Sequence, residues 1–262
     1  MFIKPKKSLG QNFLIDRNVL KQIVDTVEVT NKEVLEIGPG SGNLTTFILK
    51  KKPKKVYTIE KDDELVLSLQ DKFTDEITII NDDVLKISED KITSEKLTVF
   101  GNLPYNISTE ILSKWITNLD KKIWFENLVL MFQKEVAERI IAKPNTSKYG
   151  RLSILSNWKL NIKKIMDIKP QSFSPRPKID STLLLFTPKE KVFELKDSKN
   201  LETITRVFFS QRRKMLKKPF NQVFNNAKEV ADKFNIDLNL RPQNLEPEMY
   251  FKLVKEYEKL RS

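Results

Sequence analysis

The sequence of 262 residues contains no cysteine and no histidine. Without cysteine it forms no disulfide and no thiolate metal site. Without histidine it has no imidazole zinc site, no Ser-His triad and no histidine general base. Any catalysis must therefore use carboxylates, amides, Tyr, Lys or a bound cofactor, and we expect no metal.

Long apolar runs are also absent. No segment approaches the roughly 20 apolar residues that span a bilayer, and the start, Met1–Lys7, lacks the apolar core of a secretory signal. A content of 39% hydrophobic and 31% charged residues is typical of soluble globular proteins. We therefore expect no membrane association.

The charge of the chain is unbalanced, with a formal net charge of +12. A basic surface favours polyanions, and nucleic acid is the leading candidate. The alternative is a lysine-rich composition without functional meaning, because Lys is far more frequent than Arg here. Charge alone does not separate these two interpretations.

Most of the chain alternates between short β-branched runs and helical patterns, which predicts a doubly wound α/β sheet. Asp16 is a predicted helix N-cap. The predicted strands are 34–37, 56–59, 77–80, 97–100, 128–132, 162–168 and 181–186, and the predicted helices after the first are 44–51, 63–73, 109–119 and 134–142. Beyond residue 187 the pattern is helical throughout, so we predict a domain of residues 1–187 and a helical domain of residues 188–262.

Glycine is scarce, and three of the six glycines lie in Gly38-Pro39-Gly40-Ser41-Gly42, directly after the first predicted strand of this sheet. A glycine turn between a strand and a helix lets a ligand approach the backbone. The same turn also occurs for steric reasons alone. Pro39 disfavours a dinucleotide fingerprint, whereas Glu-x-Gly-x-Gly-x-Gly resembles the first motif of class I S-adenosylmethionine methyltransferases.

Two acidic positions support that interpretation. Glu60 ends the second predicted strand, where a carboxylate commonly accepts hydrogen bonds from ribose hydroxyls. Asp83 follows the third, where its carboxylate can accept from an adenine amino group. Together with the glycine turn, these residues predict a nucleoside-containing cofactor at one edge of the sheet.

The tetrapeptide Asn102-Leu103-Pro104-Tyr105 follows the fourth predicted strand and therefore faces the same crevice. It offers a side-chain amide, a backbone carbonyl and an aromatic ring. The Asn102 oxygen and the carbonyl of Leu103 or Pro104 can accept both N–H bonds of a planar amine, which shifts the nitrogen toward tetrahedral geometry. The alternative is a Pro-Tyr turn that only ends the strand.

Several segments, in the expected order along nearly the whole chain, resemble the bacterial 16S rRNA adenine N6,N6-dimethyltransferases. They are Ser8–Leu14, Gly101–Thr109, Tyr149–Ser153, Phe173–Ser181 and Phe208–Lys214. The resemblance implies a Rossmann-like class I methyltransferase fold with a seven-stranded, mostly parallel sheet and a small C-terminal all-α domain. It implies S-adenosylmethionine as cofactor, S-adenosylhomocysteine as product and a cytoplasmic location.

The resemblance also implies roles for individual residues. Asn12 and Leu14 close over the cofactor, and Asn102 serves both the cofactor and the target amine. The remaining cofactor contacts are Gly38, Gly40, Glu60 and Asp83. Tyr105 stacks on the target base, and Phe173 stacks from the opposite face, at about 1–3 kcal/mol per stacked base. The alternative for Phe173 is an ordinary core aromatic.

A second basic feature lies near Arg206, where no acidic residue interrupts the chain between Thr203 and Lys218. A solvated helix usually mixes both signs of charge, so this stretch favours phosphate contact over a solvated face. The predicted RNA-binding residues are Arg206, Arg212, Arg213, Lys214, Lys217 and Lys218. The basic start, Lys4–Lys7, is predicted as a second RNA contact, with a solvated segment as the alternative.

The sequence thus predicts a monomeric enzyme that dimethylates N6 of two adjacent adenosines in a hairpin loop near the 3′ end of 16S rRNA, within an immature 30S subunit. A loop suits this chemistry because the target adenine must leave any stack. One alternative is a 23S rRNA adenine N6-methyltransferase of the macrolide-resistance type. Another is a non-catalytic RNA-binding assembly factor.

Overall fold

A computed structural model describes Lys6, residues 10–119 and residues 123–261. The strands are β1 Phe13–Leu14, β2 Glu33–Ile37, β3 Lys55–Glu60, β4 Thr78–Asn81, β5 Leu97–Asn102, β6 Phe125–Gln133, β7 Leu160–Ile168, β8 Phe173–Ser174 and β9 Ser181–Pro188. The helices are α1 Arg17–Val24, α2 Asn43–Leu49, α3 Asp63–Phe73, α4 Ser108–Asn118, α5 Lys134–Ile140, α6 Arg151–Lys159, α7 Ser198–Ser210, α8 Lys217–Val223, α9 Ala227–Lys233 and α10 Pro247–Leu260.

Seven strands form one sheet in the order β4-β3-β2-β5-β6-β9-β7. Strands β4 to β6 of this order pair in parallel, and β9 pairs antiparallel with β6. All five residues of β2 are buried, as expected for a parallel strand covered on both faces. The predicted seven-stranded, mostly parallel α/β sheet is therefore confirmed.

The first helix begins as predicted. The Asp16 side chain accepts the backbone N–H groups of Asn18 and Val19 at 3.0 and 3.2 Å, which satisfies two donors that the helix itself leaves unpaired. Leu20, which follows in α1, is buried in the hydrophobic core. This cap and apolar face fix α1 on the sheet.

The described residues divide into two compact units. One contains the described residues as far as Ala137 together with Asn161–Pro188, and hence most of the sheet. The other contains Glu138–Leu160 and the described residues from Lys189 onward. The predicted helical domain began at residue 188, so the structure adds α6 to it.

The second unit is held together by aromatic packing. Phe208 contacts Phe220 and Tyr250, with ring centroids 5.3 and 5.6 Å apart, and all three rings are buried. The helix α6 packs against α7 and α10 in this unit. The assignment of α6 to this unit depends on its contacts with α7 and α10. Because those helices are distant from α6 in sequence, a local sequence pattern does not predict the contacts.

A candidate cofactor and base site

A cavity of about 240 Å³ lies at the carboxyl ends of β2, β3 and β5. Parallel strands bring their carboxyl ends to one edge of a sheet, and this is where ligands bind in such folds. The predicted residues that line it are Asn12, Gly38, Gly40, Glu60, Asp83, Asn102, Leu103, Pro104 and Tyr105. The structure thus brings together residues from five separate segments of the chain.

The glycine turn leaves room beside the backbone. Gly38 has φ +65°, and a Cβ added there would meet only the Asn102 backbone oxygen, at 4.0 Å, so no atom crowds its side-chain position. At Gly40, by contrast, a Cβ would come within 2.8 Å of the Phe13 ring. A side chain at Gly38 would occupy cavity space, and one at Gly40 would displace the segment that contains Phe13.

Glu60 is a buried carboxylate fixed by the backbone around it. Its two oxygens accept N–H groups from Gly40 at 3.2 Å, Lys61 at 2.9 Å and Asp62 at 3.0 Å. Burial raises the pKa of Glu60, and the three hydrogen bonds oppose that rise. The carboxylate is therefore held in one orientation at the cavity wall, as recognition of a diol requires.

A second buried carboxylate, Glu36, lies one strand away. Its Oε2 accepts the Thr45 hydroxyl at 2.6 Å, and burial raises the pKa of Glu36 to about 7. The negative charge of Glu60 adds to the rise. Glu36 does not line the cavity, but it directly precedes Ile37 and Gly38, which do.

The carboxylate of Asp83 forms an ion pair with a neighbouring lysine. Its Oδ2 lies 2.9 Å from Lys61 Nζ, and its Oδ1 accepts the Leu85 backbone N–H at 3.0 Å. The contact with Lys61 is the main cause that holds the pKa of Asp83 below its usual value, and the hydrogen bond from the Leu85 N–H is the second. The carboxylate is therefore ionised and restricted to one orientation at the cavity.

The side chain of Asn102 is oriented by a hydrogen bond to the backbone of Asn12. Its Nδ2 donates to the Asn12 carbonyl at 2.9 Å. With the amide nitrogen engaged there, Oδ1 is the amide atom left to accept, and no described residue donates to it. The side chain therefore presents an acceptor, as positioning of an amine requires.

Tyr105 forms a hydrogen bond with the first residue of β9. Its hydroxyl lies 2.6 Å from the hydroxyl of Ser181, which is fully buried at the start of β9. Burial raises the pKa of Tyr105, so the phenol is neutral at physiological pH. The hydrogen bond restricts rotation of the Tyr105 side chain at the cavity wall.

Leu14 and Phe173 are not brought to the cavity. Strand β1 pairs antiparallel with β8, with Leu14 opposite Phe173, and both side chains belong to the hydrophobic core. Phe173 is 1% exposed, so in this conformation it is a core aromatic with no face open to a base. The stacking role of Phe173 stays a prediction, and it would require the β1–β8 pair to rearrange.

Three further residues support the site and were not assigned a role from sequence. They are Gln11, Asp62 and Ser181. Gln11 and Ser181 lie within segments that carry the family resemblance, but neither has a reactive group that would single it out. Asp62 is the N-cap of α3, where its side chain accepts the Glu64 N–H at 3.1 Å, and that position is detectable from sequence.

The predicted RNA-binding residues belong to the second unit. Arg213, Lys214, Lys217 and Lys218 are exposed and line an open groove. Arg206 is also exposed. Arg212 differs, because its guanidinium donates to the backbone carbonyls of Ser147 at 2.7 Å and Tyr149 at 3.3 Å. Arg212 therefore stabilises a loop within the unit, whereas the other five are available to phosphate.

The basic start of the chain is described only at Lys6, and Lys4, Pro5 and Lys7 lie outside the described residues, as do Ser8 and Leu9 of the first family segment. Lys6 Nζ lies 2.7 Å from Asp62 Oδ1. In this structure Lys6 is thus part of an ion pair. The predicted RNA contact at Lys4–Lys7 stays a prediction.

Comparison with known proteins decides the family. The sequence model of the ribosomal RNA adenine dimethylases matches residues 3–259. The chain belongs to this family. It is 76% identical over 261 residues, covering all of both chains, to "Ribosomal RNA small subunit methyltransferase A" of Pelagibacter ubique (strain HTCC1062). It is 43% identical, over 95% of this chain and 92% of the relative, to the protein of the same name from Wolbachia sp. subsp. Drosophila simulans (strain wRi).

Solved structures agree with this family assignment. A dimethyladenosine transferase from Plasmodium falciparum superposes with a TM-score of 0.78 at 27% identity, over 94% of this chain and 98% of that one. The 23S rRNA methyltransferase ErmE superposes with a TM-score of 0.68 at 22% identity, over 95% of this chain and 100% of that one. The latter likeness shows the fold alone, which is that of the class I methyltransferases.

Family and fold imply S-adenosylmethionine as the methyl donor. The described residues fit such a ligand, because the turn at Gly38 is uncrowded while Glu60 and Asp83 place fixed carboxylates at the same cavity. No group of three or more acidic side chains in the described ranges could hold a metal ion. Among the helices of the described ranges, none is long and apolar enough to cross a bilayer.

Proposed function

We propose that this protein dimethylates N6 of two adjacent adenosines in the 16S rRNA of an immature 30S subunit, acting as a monomer. Membership of the rRNA adenine dimethylase family supports adenine as the target, and the 76% identity to a small-subunit methyltransferase supports the subunit. The observation that carries the chemistry is the orientation of Asn102, whose amide nitrogen is engaged by Asn12 so that its oxygen accepts.

The cofactor, when bound, supplies an electrophilic methyl group on a sulfonium. Glu60 would accept the ribose hydroxyls, because three backbone N–H groups already fix its carboxylate at the wall. Asp83 would accept the adenine amino group of the cofactor. Gly38 and Asn12 would also line the pocket around the cofactor.

The target amine would be held by two acceptors. Asn102 Oδ1 is the first, and the second is a carbonyl of Leu103 or Pro104. The Pro104 carbonyl already accepts the Ile107 N–H at 3.1 Å, which favours Leu103. Accepting both N–H bonds localises the nitrogen lone pair and directs it away from the acceptors, so a histidine base is unnecessary.

The base itself would be held by stacking. Tyr105 would provide one face, since its hydroxyl is anchored on Ser181. Such contacts contribute about 1–3 kcal/mol per base and tolerate any base. Selection of adenine would therefore come from the amine acceptors rather than from the ring contact.

The substrate would be bound through the second unit. Arg206, Arg213, Lys214, Lys217 and Lys218 are exposed cations, and the last four border the groove. Phosphate contacts of this kind supply affinity without reading sequence. Arg212 would contribute indirectly, by holding the loop at Ser147 and Tyr149.

The test is methyl transfer from labelled S-adenosylmethionine to purified ribosomal substrates. We expect label in the 16S rRNA of immature 30S particles and none in naked 23S rRNA. Transfer only to 23S rRNA would favour the macrolide-resistance type of enzyme. Binding to the particle without cofactor binding or transfer would favour a non-catalytic assembly factor.

A further inference from the structure

The segment Gly10–Phe13 forms one wall of the cavity but belongs to no strand of the main sheet. Its backbone is fastened by side chains from elsewhere. Asn102 Nδ2 donates to the Asn12 carbonyl at 2.9 Å, and Asn43 Nδ2 donates to the Leu14 carbonyl at 2.8 Å just beyond it. These two contacts hold the end of the wall nearer β1.

The other end of the wall is fastened by Asp62. Asp62 is 3% exposed, and its Oδ2 accepts Gln11 Nε2 at 3.0 Å. The Gln11 side chain in turn accepts the Lys6 backbone N–H at 2.7 Å, and Lys6 Nζ reaches Asp62 Oδ1. The buried carboxylate of Asp62 thus binds both Gln11 and Lys6 at this end of the Gly10–Phe13 wall.

Asp62 also belongs to the turn that holds Glu60, because its backbone N–H donates to Glu60 Oε1 at 3.0 Å. Asp62 therefore bonds through its backbone to the Glu60 carboxylate and through its side chain to the Gly10–Phe13 wall. Displacement of the wall and displacement of Glu60 are therefore coupled through the covalent bonds that join the backbone nitrogen of Asp62 to its side-chain oxygen.

We propose that Asp62 and Gln11 are positioning residues that hold the Gly10–Phe13 wall closed against bound cofactor. The inference rests on the proposed function of this cavity. It goes beyond that function by assigning the closure to one donor–acceptor pair, neither member of which reacts. Loss of the pair should speed cofactor release more than it slows methyl transfer.

The direction of the hydrogen bond provides the sharpest test. Gln11→Glu alone sets two carboxylates against each other, and Asp62→Asn alone replaces the acceptor with a mixed amide. Together they restore a donor–acceptor pair in reverse, with the new amide donating to the new carboxylate. Asn is a good N-cap residue, so α3 keeps its cap in the Asp62→Asn variant.

We would measure dissociation constants and release rates for S-adenosylhomocysteine by calorimetry and stopped flow, with hydrogen exchange at Gly10–Phe13. We expect each single variant to weaken binding about tenfold and to lose protection in that segment, and the double variant to recover to within about threefold. Thermal denaturation would establish that each variant is folded. The matched control is Asp63→Asn, an exposed neighbour on α3, which should bind as the original protein does.

Gln11→Ala provides a second route if either of the other variants is unfolded, and it should also speed release about tenfold. Additive losses in the double variant, or unchanged release from Gln11→Ala, would overturn the proposal. Failure of the unmodified protein to bind the ligand at all would instead refute the proposed function, and the positioning role with it.

Discussion

Asn102 is the residue on which the proposed chemistry depends most. Sequence alone indicated an amide at the end of a strand, and the structure adds its orientation through Asn12. What sequence could not supply was the partner of each polar atom, since Asn12 and Asn102 are 90 positions apart. Phe173 illustrates the same limit, because the family resemblance implies that its ring stacks on the target base, whereas in the structure it lies opposite Leu14 and is buried.

The Asn102→Ala variant should lose turnover far more than RNA affinity. Removing one positioned hydrogen-bonding group from an active site, as measured for an oxyanion-hole donor, costs about 10²–10³ in kcat, and we expect a loss of this order here, whereas none of the exposed cations proposed to bind phosphate is changed. Steady-state methyl transfer and filter binding measure the two quantities. Asn118→Ala, at an exposed position at the end of α4, is the control. Equal losses of turnover and affinity would contradict the amine-positioning role.

The Tyr105–Ser181 contact should behave as a unit. Ser181→Ala and Tyr105→Phe each remove one partner of the same hydrogen bond, and each should lower kcat/KM about 5- to 10-fold, equivalent to about 1 kcal/mol. The double variant should be no worse than either single variant. Independent, multiplying losses in the methyl-transfer assay would show that the two hydroxyls act separately.

At the scale of elements, most strands and helices of the sheet were predictable because apolar and β-branched runs alternate with helical patterns. The helix α6 was not predicted. Six of its nine residues are buried, including Ser153, Ser156 and Lys159, so it shows no polar stripe on one face. The strands β1 and β8 have two residues each, which is too short for any periodicity.

Glu36, in strand β2, should make the free energy of unfolding depend on pH. Its folded pKa of about 7 lies above the ordinary 4.5, so protonation favours the folded state. The stabilising effect is complete below about pH 4.5 and is lost as pH rises through 7. Glu36→Gln removes this dependence, and its free energy of unfolding relative to the original should improve by about 2–3 kcal/mol from pH 4.5 to 8.

Denaturant unfolding at a series of pH values, without cofactor, measures that difference. Comparing the two proteins at each pH cancels the titration of groups they share. Glu28→Gln, at a carboxylate outside the cavity whose pKa is lowered by its hydrogen bonds to Thr30, should not show the same trend. A constant difference between the proteins across this range would contradict the assigned pKa.

For the whole molecule, sequence predicted a sheet-containing domain and a helical one, and the structure divides the chain into two units along similar lines. The difference is α6, whose membership depends on contacts with α7 and α10. The assignment of methyl transfer to one unit and RNA binding to the other stays a prediction. Net charge supports it only broadly, because individual cations differ in what they contact.

Arg212 and Arg213 should therefore give different results when changed to Ala. Arg213→Ala should weaken RNA binding and lower the dependence of log affinity on log salt by about 0.7–0.9, the value for one phosphate contact. Arg212→Ala should mainly lower the melting temperature, because it removes the hydrogen bonds to Ser147 and Tyr149. Binding titrations at several salt concentrations, with thermal melts, would separate the two. Identical profiles would contradict the distinction.

The central claim concerns the nucleotide that the protein modifies, and mass spectrometry of rRNA from cells tests it most directly. Cells of the source organism should contain two adjacent N6,N6-dimethyladenosines near the 3′ end of 16S rRNA. Cells lacking this protein, or carrying only Asn102→Ala, should lack them, with 23S rRNA unchanged. Intact dimethylation of 16S rRNA in the deletion strain, or loss confined to 23S rRNA, would contradict the account.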